Sequence, residues 1–216
     1  GVFSDQDNQI DLTITTSQDT GDGNDTLLSI ENLNAGGGND TLTGNSGDNI
    51  LNGENGVDTL YGNGGDDTLN GGNNNDQLYG GNGDDILNGG NNNDDLYGED
   101  GDDTLIGGNG LDNMYGGLGN DIYQVTHIND DVIEEASQGT DLIQTSVTYT
   151  ASANVENLTL TGSYSINGIG NNLANTITGN SGNNQLTGGN GNDTLLGNNG
   201  NDTLDGGSGQ DSMSGG

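Results

Sequence analysis

Acidic side chains recur at every ninth residue through much of this 216-residue chain. Ten nonapeptides follow one another without insertion from Ala35 to Gln124, and five more run from Gly170 to Ser214. Carboxylates at the sixth position of these units, beside the carbonyls of a glycine-rich turn, supply the hard oxygens that Ca²⁺ prefers. The aspartates at this position are Asp40, Asp58, Asp67, Asp76, Asp85, Asp94, Asp103, Asp112, Asp121, Asp193, Asp202 and Asp211, and an isolated early copy of the unit adds Asp25.

The charge balance favours the same chemistry. The chain has 34 Asp and Glu residues, no Lys and no Arg, and a formal net charge of −34. Two carboxylates at the spacing of stacked strands repel by about 1 kcal/mol even at the dielectric constant of water. A divalent cation between successive turns converts that repulsion into a cross-link, so folding and calcium binding are predicted to be one event. Nucleic acid and anionic membranes are poor partners for such a surface.

A second period of 18 residues indicates how the carboxylates are positioned. Tyr61, Tyr79, Tyr97 and Tyr115 recur at this spacing, so two nonapeptides are predicted to form one coil. Each unit is interpreted as a six-residue turn and a three-residue strand, with the strands of one coil on two facing sheets about 4.8 Å from those of the next coil. The eighth-position residue, usually Leu, points inward, and Asn74 and Asn92 replace turn glycines at positive φ.

Composition limits what else could hold the fold together. Leu, Ile, Val and Phe make up less than a fifth of the chain, which by itself is typical of disorder. Cysteine is absent, which excludes disulfides and thiolate ligands. No apolar run has transmembrane length and no signal peptide begins the chain. The start at Gly1 and the end at Gly216, without the tail of a type I export signal, predict a mature product or a fragment.

The units resemble the repeats-in-toxin (RTX) nonapeptide, G-G-x-G-x-D-x-U-x. The resemblance implies a right-handed parallel β-roll, an all-β solenoid with Ca²⁺ held between turns on one edge by sixth-position aspartates and turn carbonyls. Carried over to this chain, the ligands are the thirteen aspartates named above, Asp25 included. Asn49, Asn175 and Asn184 depart from the pattern, so sites there are expected to be weaker or absent. RTX proteins are typically exported by type I secretion and fold on meeting external calcium.

Four segments are predicted. Residues 1–34 form an N-terminal strand and capping region with one early repeat, and residues 35–124 form the first array. Residues 125–169 are interpreted as an irregular solenoid insert, with a separate small domain as the alternative, and residues 170–216 form the second array. Strand-like stretches lie at Ile10 to Ile14, Leu142 to Tyr149 and Val155 to Thr161.

Little in the sequence favours an enzyme. His127 is the one histidine, so a two-histidine zinc site is excluded, and a plain surface histidine is the favoured interpretation. Glu134 and Glu135 are interpreted as solvated charge rather than an acid–base pair. No catalytic residue is therefore predicted, and Ca²⁺ is the one cofactor.

Two functions stay open at this point. The first is a noncatalytic extracellular structural protein, such as a component of a surface layer, matrix, filament or adhesin. The second is the calcium-triggered folding and secretion module of a larger secreted enzyme or toxin. Self-association is expected end to end or through the tyrosine face. That face could also bind a cell-surface polysaccharide, although tyrosine also simply suits an exposed strand. Insertion into a membrane is not expected.

Overall fold

The structure, a computed structural model, describes residues 6–19 and 24–216, and of residues 19, 24 and 25 it describes the backbone. This part of the chain is all β and contains no helix that could cross a membrane. Its strands are β1 (Gln9–Asp11), β2 (Gln18–Asp19), β3 (Asn24–Asp25), β4 (Asn32–Asn34), β5 (Thr41–Thr43), β6 (Ile50–Asn55), β7 (Thr59–Gly64), β8 (Thr68–Asn73), β9 (Gln77–Asn82), β10 (Ile86–Asn91), β11 (Asp95–Asp100), β12 (Thr104–Asn109), β13 (Asn113–Leu118), β14 (Ile122–Val125), β15 (Asp131–Ile133), β16 (Leu142–Thr145), β17 (Tyr149–Thr150), β18 (Asn157–Leu160), β19 (Gly168–Ile169), β20 (Thr176–Thr178), β21 (Gln185–Asn190), β22 (Thr194–Leu196), β23 (Thr203–Ser208) and β24 (Ser212–Ser214).

Consecutive strands alternate between two sides of a parallel β-solenoid of about ten coils. The even-numbered strands from β4 to β24 form one sheet of 11 strands. On the other side, β1, β5 and the odd-numbered strands up to β15 form a sheet of seven, and β17, β19, β21 and β23 form a sheet of four. β2 and β3 pair antiparallel outside these sheets. The predicted all-β roll of parallel strands is confirmed.

The register confirms that two nonapeptides make one coil. Leu60 lies opposite Leu78, and Leu78 lies opposite Leu96, so each position pairs with its counterpart 18 residues later. The central strands are six residues long, whereas three were predicted. The ladder is longer because pairing continues through the turn glycines, as in the pair Gly90 and Gly108.

The core consists of two facing rows of side chains, one from each sheet. The eighth-position residues from Leu42 to Tyr123 are fully buried, as are Ile177, Leu186 and Leu195 of the second array. Burying one such leucine contributes about 1.5–3 kcal/mol. Side chains two residues apart on a strand share a face, so the sixth-position residue points to the same side as the eighth. The aspartates therefore lie along the edges of this core.

The turns include residues in the left-handed region of backbone conformation. Asn74 has φ 81° and Asn92 has φ 78°, which confirms that these two asparagines stand in for glycine. Glu54 and Glu99 adopt similar values, 75° and 79°, which the sequence did not indicate. Glutamate tolerates this region less well than glycine or asparagine, so these two turns are held there by their neighbours.

Residues 125–169 add strands to the same long sheet through β16 and β18, with coils of unequal length. Ile122 lies opposite Leu142, and Leu142 lies opposite Asn157. The stretch from Leu142 to Tyr149 is two strands rather than one, because the chain leaves β16 and crosses to the other side to form β17. The strand predicted from Ile10 to Ile14 is shorter and begins one residue earlier, as β1.

Candidate metal centre

The sixth-position aspartates form two columns, one along each edge of the roll. One column runs through Asp40, Asp58, Asp76, Asp94 and Asp112, and the other runs through Asp67, Asp85, Asp103 and Asp121. All nine side chains are at most 1% exposed. Aspartate is almost never buried to this degree without a partner, so each carboxylate needs an explanation.

One oxygen of each carboxylate is bound by the backbone. Oδ1 accepts a hydrogen bond from the N–H of the sixth-position residue one coil earlier in the chain, except at Asp40, where the donor is Asn8 N–H at 2.6 Å. The distance is 2.8 Å from Asp58 to Asp76 and 2.7 Å from Asp67 to Asp85. The second array repeats the arrangement, because Asn175 donates to Asp193 at 2.8 Å and Asp193 donates to Asp211 at 3.0 Å. These bonds fix the orientation of every carboxylate in a column.

The other oxygen is left without a hydrogen-bond partner among the described residues. Such a buried acceptor costs about 1–3 kcal/mol, and more when it is charged. The chain has no Lys or Arg to supply a positive charge. The oxygens concerned are Oδ2 of Asp40, Asp58, Asp67, Asp76, Asp85, Asp94, Asp103, Asp112, Asp121, Asp193 and Asp202.

Except at Asp40, whose unit begins with Ala35, each free Oδ2 faces the first glycine of its own unit. A Cβ placed on Gly71 would lie 2.5 Å from Oδ2 of Asp76 and 2.8 Å from the carbonyl oxygen of Gly89, one coil further on. A side chain at this position would fill the space between the carboxylate and the carbonyl. Carboxylate and carbonyl oxygens that converge on a space kept free by glycine suit Ca²⁺, which takes 6–8 such ligands.

Comparison with known families decides the identity of the repeat. The model of the RTX calcium-binding nonapeptide repeat, which spans four copies, matches residues 28–60, 52–87, 61–96, 88–123, 169–204 and 187–216. These matches cover more than half of the chain. The chain belongs to the RTX calcium-binding repeat family. None of the curated proteins compared with it matches.

The RTX repeats identify the chain as a calcium-binding protein of a type that bacteria typically secrete. β-Rolls of this family are generally noncatalytic. The family match stops after residue 123 and resumes at residue 169. The 45 residues between these matches lack most of the glycines of the repeat.

Burial raises the pKa of the column carboxyls. The pKa rises from 3.8 to about 8 for Asp94 and Asp103 and to about 7 for Asp76 and Asp85. The main cause is desolvation, which the backbone hydrogen bond opposes and the neighbouring aspartates reinforce. Toward the ends of the first RTX array the pKa rises only to about 6, at Asp58, Asp67, Asp112 and Asp121. Without a cation, the centre of the roll therefore favours protonated carboxyls near neutral pH.

The three asparagine turns of the RTX arrays are built differently. Each asparagine Oδ1 accepts the N–H of the residue four positions earlier: Asn45 donates to Asn49 at 2.7 Å, Asn171 to Asn175 at 2.8 Å and Asn180 to Asn184 at 3.0 Å. The earlier asparagine in turn accepts a backbone N–H two residues further on. Hydrogen bonds within the turn therefore use the side-chain oxygens of these asparagines. In the aspartate turns, by contrast, Oδ2 has no hydrogen-bond partner among the described residues.

The predicted ligands differ in their surroundings. Asp202 and Asp211 are only partly buried at the far end of the second array. The side chain of Asp25 lies outside the described residues. His127 is exposed, as predicted, and its Nδ1 accepts an N–H from Asn129 at 3.3 Å.

Two buried aspartates that the sequence analysis missed extend the columns. Asp130 is 4% exposed and its Oδ1 accepts the N–H of Asp112 at 3.4 Å. Asp141 is 2% exposed and its Oδ1 accepts the N–H of Asp121 at 2.9 Å. Asp130 keeps the nine-residue spacing after Asp121, so an array continued past its last glycines would have included it.

The interpretation of Glu134 and Glu135 as solvated charge is wrong for Glu134. Glu135 is exposed, but Glu134 is only 7% exposed. The Tyr123 hydroxyl donates a short hydrogen bond to Glu134 Oε1 and accepts one from Gly116 N–H at 2.8 Å. Burial is the main cause that raises the pKa of Glu134 to about 7 and raises the pKa of Tyr123.

The tyrosines at 18-residue spacing form a stacked ladder on one face. The ring centroids of Tyr61, Tyr79, Tyr97 and Tyr115 are 4.9, 4.8 and 4.7 Å apart along the series. The rings are half-buried rather than fully exposed, because each covers its neighbours. Stacking of this kind contributes about 0.5–1.5 kcal/mol per pair.

Proposed function

We propose that the thirteen sixth-position aspartates are the calcium ligands of a noncatalytic extracellular structural protein whose folding requires Ca²⁺. The observation that carries this proposal is the alignment of buried Oδ2 atoms without partners in columns, in a chain that has no Lys or Arg. The two arrays would bind most of the ions, with residues 1–34 as a strand and capping region that carries one early repeat and residues 125–169 as an irregular solenoid insert between the arrays.

The columns explain why folding would depend on the ion. Each coil adds a carboxylate directly above another, while its core adds only one large apolar side chain per strand. Ca²⁺ between coils removes the repulsion, satisfies the free Oδ2 and holds two coils together. Binding free energy in such a site is folding free energy. In these sites the carboxylates are combined with neutral backbone carbonyls. Such a ligand set suits dissociation constants of about 10⁻⁴–10⁻³ M, as in extracellular modules.

A calcium titration of the full chain followed by far-UV circular dichroism tests this proposal. In chelator we expect a disordered chain, and in millimolar calcium we expect a cooperative gain of β signal. The variant Asp76→Asn with Asp94→Asn removes two stacked charges and keeps both Oδ1 acceptors. It should bind fewer ions per chain and require more calcium to fold.

The matched control is Asp84→Asn with Asp102→Asn. These aspartates are exposed, lie one coil apart and also accept backbone N–H groups, at 3.0 Å for Asp84 and 2.7 Å for Asp102. The control should bind as many ions as the unaltered chain. A chain that is fully folded in chelator, or a column variant with unchanged stoichiometry, would refute the assignment.

The structural role is supported by a sheet that runs without interruption through both arrays and the insert, which suits a rigid extended spacer. The same calcium-dependent folding would serve a folding and secretion module attached to a larger enzyme or toxin. The length of the parent gene separates the two roles, because the second requires a catalytic or toxic domain elsewhere in the same chain.

The tyrosine ladder is the surface we propose for contacts with a cell-surface polysaccharide or with a second copy. Its four stacked rings give a flat strip of amphipathic area along one sheet. Replacing Tyr79 and Tyr97 by serine should weaken polysaccharide retention or lower the sedimentation coefficient of the calcium-loaded protein. Unchanged retention and sedimentation would mean that the ladder only stabilises the sheet.

A further inference from the structure

Glu134 takes a place that the repeat gives to glycine. β13 pairs with β15 so that Tyr115 lies opposite Ile133, which puts Glu134 in the position that corresponds to Gly116. Gly98 occupies the same position one coil before Gly116. A Cβ placed on Gly98 would lie next to Oδ2 of Asp103 and 2.6 Å from the carbonyl oxygen of Gly116. The regular pattern would therefore supply another glycine turn beyond Gly116.

The atoms near Gly116 are different. A Cβ on Gly116 would meet Oδ2 of Asp121 and the hydroxyl of Tyr123 in place of a carbonyl from the next coil. The hydroxyl leads to the carboxylate of Glu134, to which it donates a hydrogen bond. At the end of the first array, the Tyr123 hydroxyl and its partner Glu134 thus lie beside the position where the preceding coil has a turn carbonyl.

Three carboxylates converge at this point. One oxygen from each of Asp121, Glu134 and Asp141 lies within 4.8 Å of the other two, and all three side chains are buried. Ca²⁺ binds oxygens at about 2.3–2.6 Å, so two ligands on opposite sides of one ion are at most about 5 Å apart. The observed separation therefore lets a single ion contact all three groups.

Two of the three groups also offer an oxygen that nothing else uses. Oδ2 of Asp121 and Oε2 of Glu134 have no hydrogen-bond partner among the described residues, and the two side chains are 1% and 7% exposed. Their second oxygens are held by the protein: Asp103 N–H donates to Asp121 Oδ1 at 2.8 Å, and the Tyr123 hydroxyl donates to Glu134 Oε1. The orientation of both carboxylates is thus fixed by hydrogen bonds to the protein.

We infer that Asp121, Glu134 and Asp141 bind one further Ca²⁺ ion, at a three-carboxylate site that closes the edge column where the first array ends. This inference rests on the proposed calcium-dependent folding. The site differs in its ligands from the calcium sites proposed within the arrays. Sites within the array pair carboxylates with turn carbonyls, whereas this one uses a glutamate from outside the nonapeptide pattern. Its higher ligand charge makes it the tightest site of the roll, because charge count sets affinity among oxygen sites.

Titration calorimetry of the full chain, combined with equilibrium dialysis to count bound calcium, tests the inference. Glu134→Gln should lose one ion per chain and the tightest binding step, so that the lowest dissociation constant rises by about tenfold or more. The control Glu135→Gln makes the same change of charge on the adjacent, exposed residue. It should keep both the count and the tightest step.

Asp141→Asn provides a second variant in case Glu134→Gln does not recover its β signal in saturating calcium. Asparagine already occupies equivalent positions at Asn49, Asn175 and Asn184, and it can still accept the N–H of Asp121. If Asp141→Asn also loses one calcium ion per chain and the tightest binding step, the three-carboxylate site is supported. If the variant that folds keeps the count and the tightest step of the unaltered chain, the three-carboxylate site is refuted while calcium binding by the arrays stands. If the unaltered chain neither binds calcium nor folds with it, the proposed function fails first.

Discussion

The backbone N–H of Asp76 donates a 2.8 Å hydrogen bond to Oδ1 of Asp94, its counterpart one coil further along the roll. The same bond joins each successive pair in the column, so every coil anchors the carboxylate of the next. One oxygen of each aspartate is thereby bound to protein, and the other, proposed to bind a cation, has no hydrogen-bond partner among the described residues. The column is a chain of hydrogen bonds and, at the same time, a line of like charges, which is why its stability would depend on the ion.

The asparagine turns allow a test of whether hydrogen bonds can take the place of a cation. Asn175 Nδ2 donates to the carbonyls of Val155 at 3.0 Å and Glu156 at 3.2 Å, whereas Asn49 Nδ2 is buried without a partner. Asn175→Asp would set a carboxylate against two carbonyls and should cost about 1–3 kcal/mol. Asn49→Asp replaces an unused donor with a charged oxygen and should cost less, with calcium binding kept or increased.

The concentration of calcium at half-folding measures both effects. It should rise several-fold for Asn175→Asp and change little, or fall, for Asn49→Asp. Equal shifts in the two variants would show that the hydrogen bonds of the asparagine turns do not replace a cation.

Strict periodicity made most of this architecture predictable. The burial of Leu87, the pairing of residues 18 apart and the positive φ of Asn74 all follow from which residue types recur and at what interval. Asp130 was missed because the array was taken to end with its glycines, although the sixth and eighth positions continue through Asp130 and Val132. Periodicity alone identifies what repeats.

The cluster at the end of the array could not be found in this way. Asp141 reaches the column because the coil before it has two residues more than the 18-residue coils of the first array, and the buried Glu134 accepts a hydrogen bond from Tyr123. Both facts depend on how unequal coils stack, which nine-residue spacing does not encode. The hydrogen bonds that close the asparagine turns likewise depend on side-chain geometry, although asparagine at both the second and sixth positions marks all three turns.

Gly72, the second residue of its unit, is predicted to be required by the close approach of the previous coil. Gly72 has φ 113°, and a Cβ there would lie 2.9 Å from the Cα and carbonyl carbon of Glu54. Gly72→Ala should therefore cost at least about 2 kcal/mol, from left-handed strain and the backbone clash. Urea unfolding in saturating calcium measures the loss.

Gly64→Ala is the control, since the nearest atom to its Cβ would be the carbonyl oxygen of Asn82 at 3.7 Å. This substitution should stay within about 1 kcal/mol of the unaltered chain. A Gly72 variant as stable as the Gly64 variant would contradict the close stacking of coils.

Each regular strand contributes one large buried apolar side chain to the core. Truncation of any one of these leucines is therefore predicted to lower the stability of the roll substantially. Leu87 is fully buried between Leu69 and Leu105, so Leu87→Ala should cost about 2–5 kcal/mol and raise the calcium needed for folding. Leu111→Ala alters a turn residue that is 47% exposed and should leave the calcium midpoint nearly unchanged. Circular dichroism during calcium titration compares the two, and similar midpoints would mean that the core contributes little beyond the ions.

The pKa values predict that acid replaces calcium in part. In the folded roll the pKa values of the central aspartates are raised from 3.8 to about 8 at Asp94 and Asp103 and about 7 at Asp76 and Asp85, so the folded state binds protons more tightly than the unfolded chain. Their destabilising effect is therefore absent below about pH 4, grows as the pH rises, and is complete above about pH 8.

In chelator, acidification from about pH 8 to about pH 4 should accordingly increase the β signal, with the change spread over that whole window because each carboxyl contributes between its unfolded and its folded pKa. The same protons compete with the ion for the carboxylates, so the affinity of the folded roll for calcium should fall as the pH falls through that range. Asp76→Asn with Asp94→Asn removes two of the titrating groups, so its calcium-free β signal should depend less on pH than that of Asp84→Asn with Asp102→Asn. Loss of β signal on acidification in chelator would show that the buried carboxyls do not control the folding of the calcium-free chain.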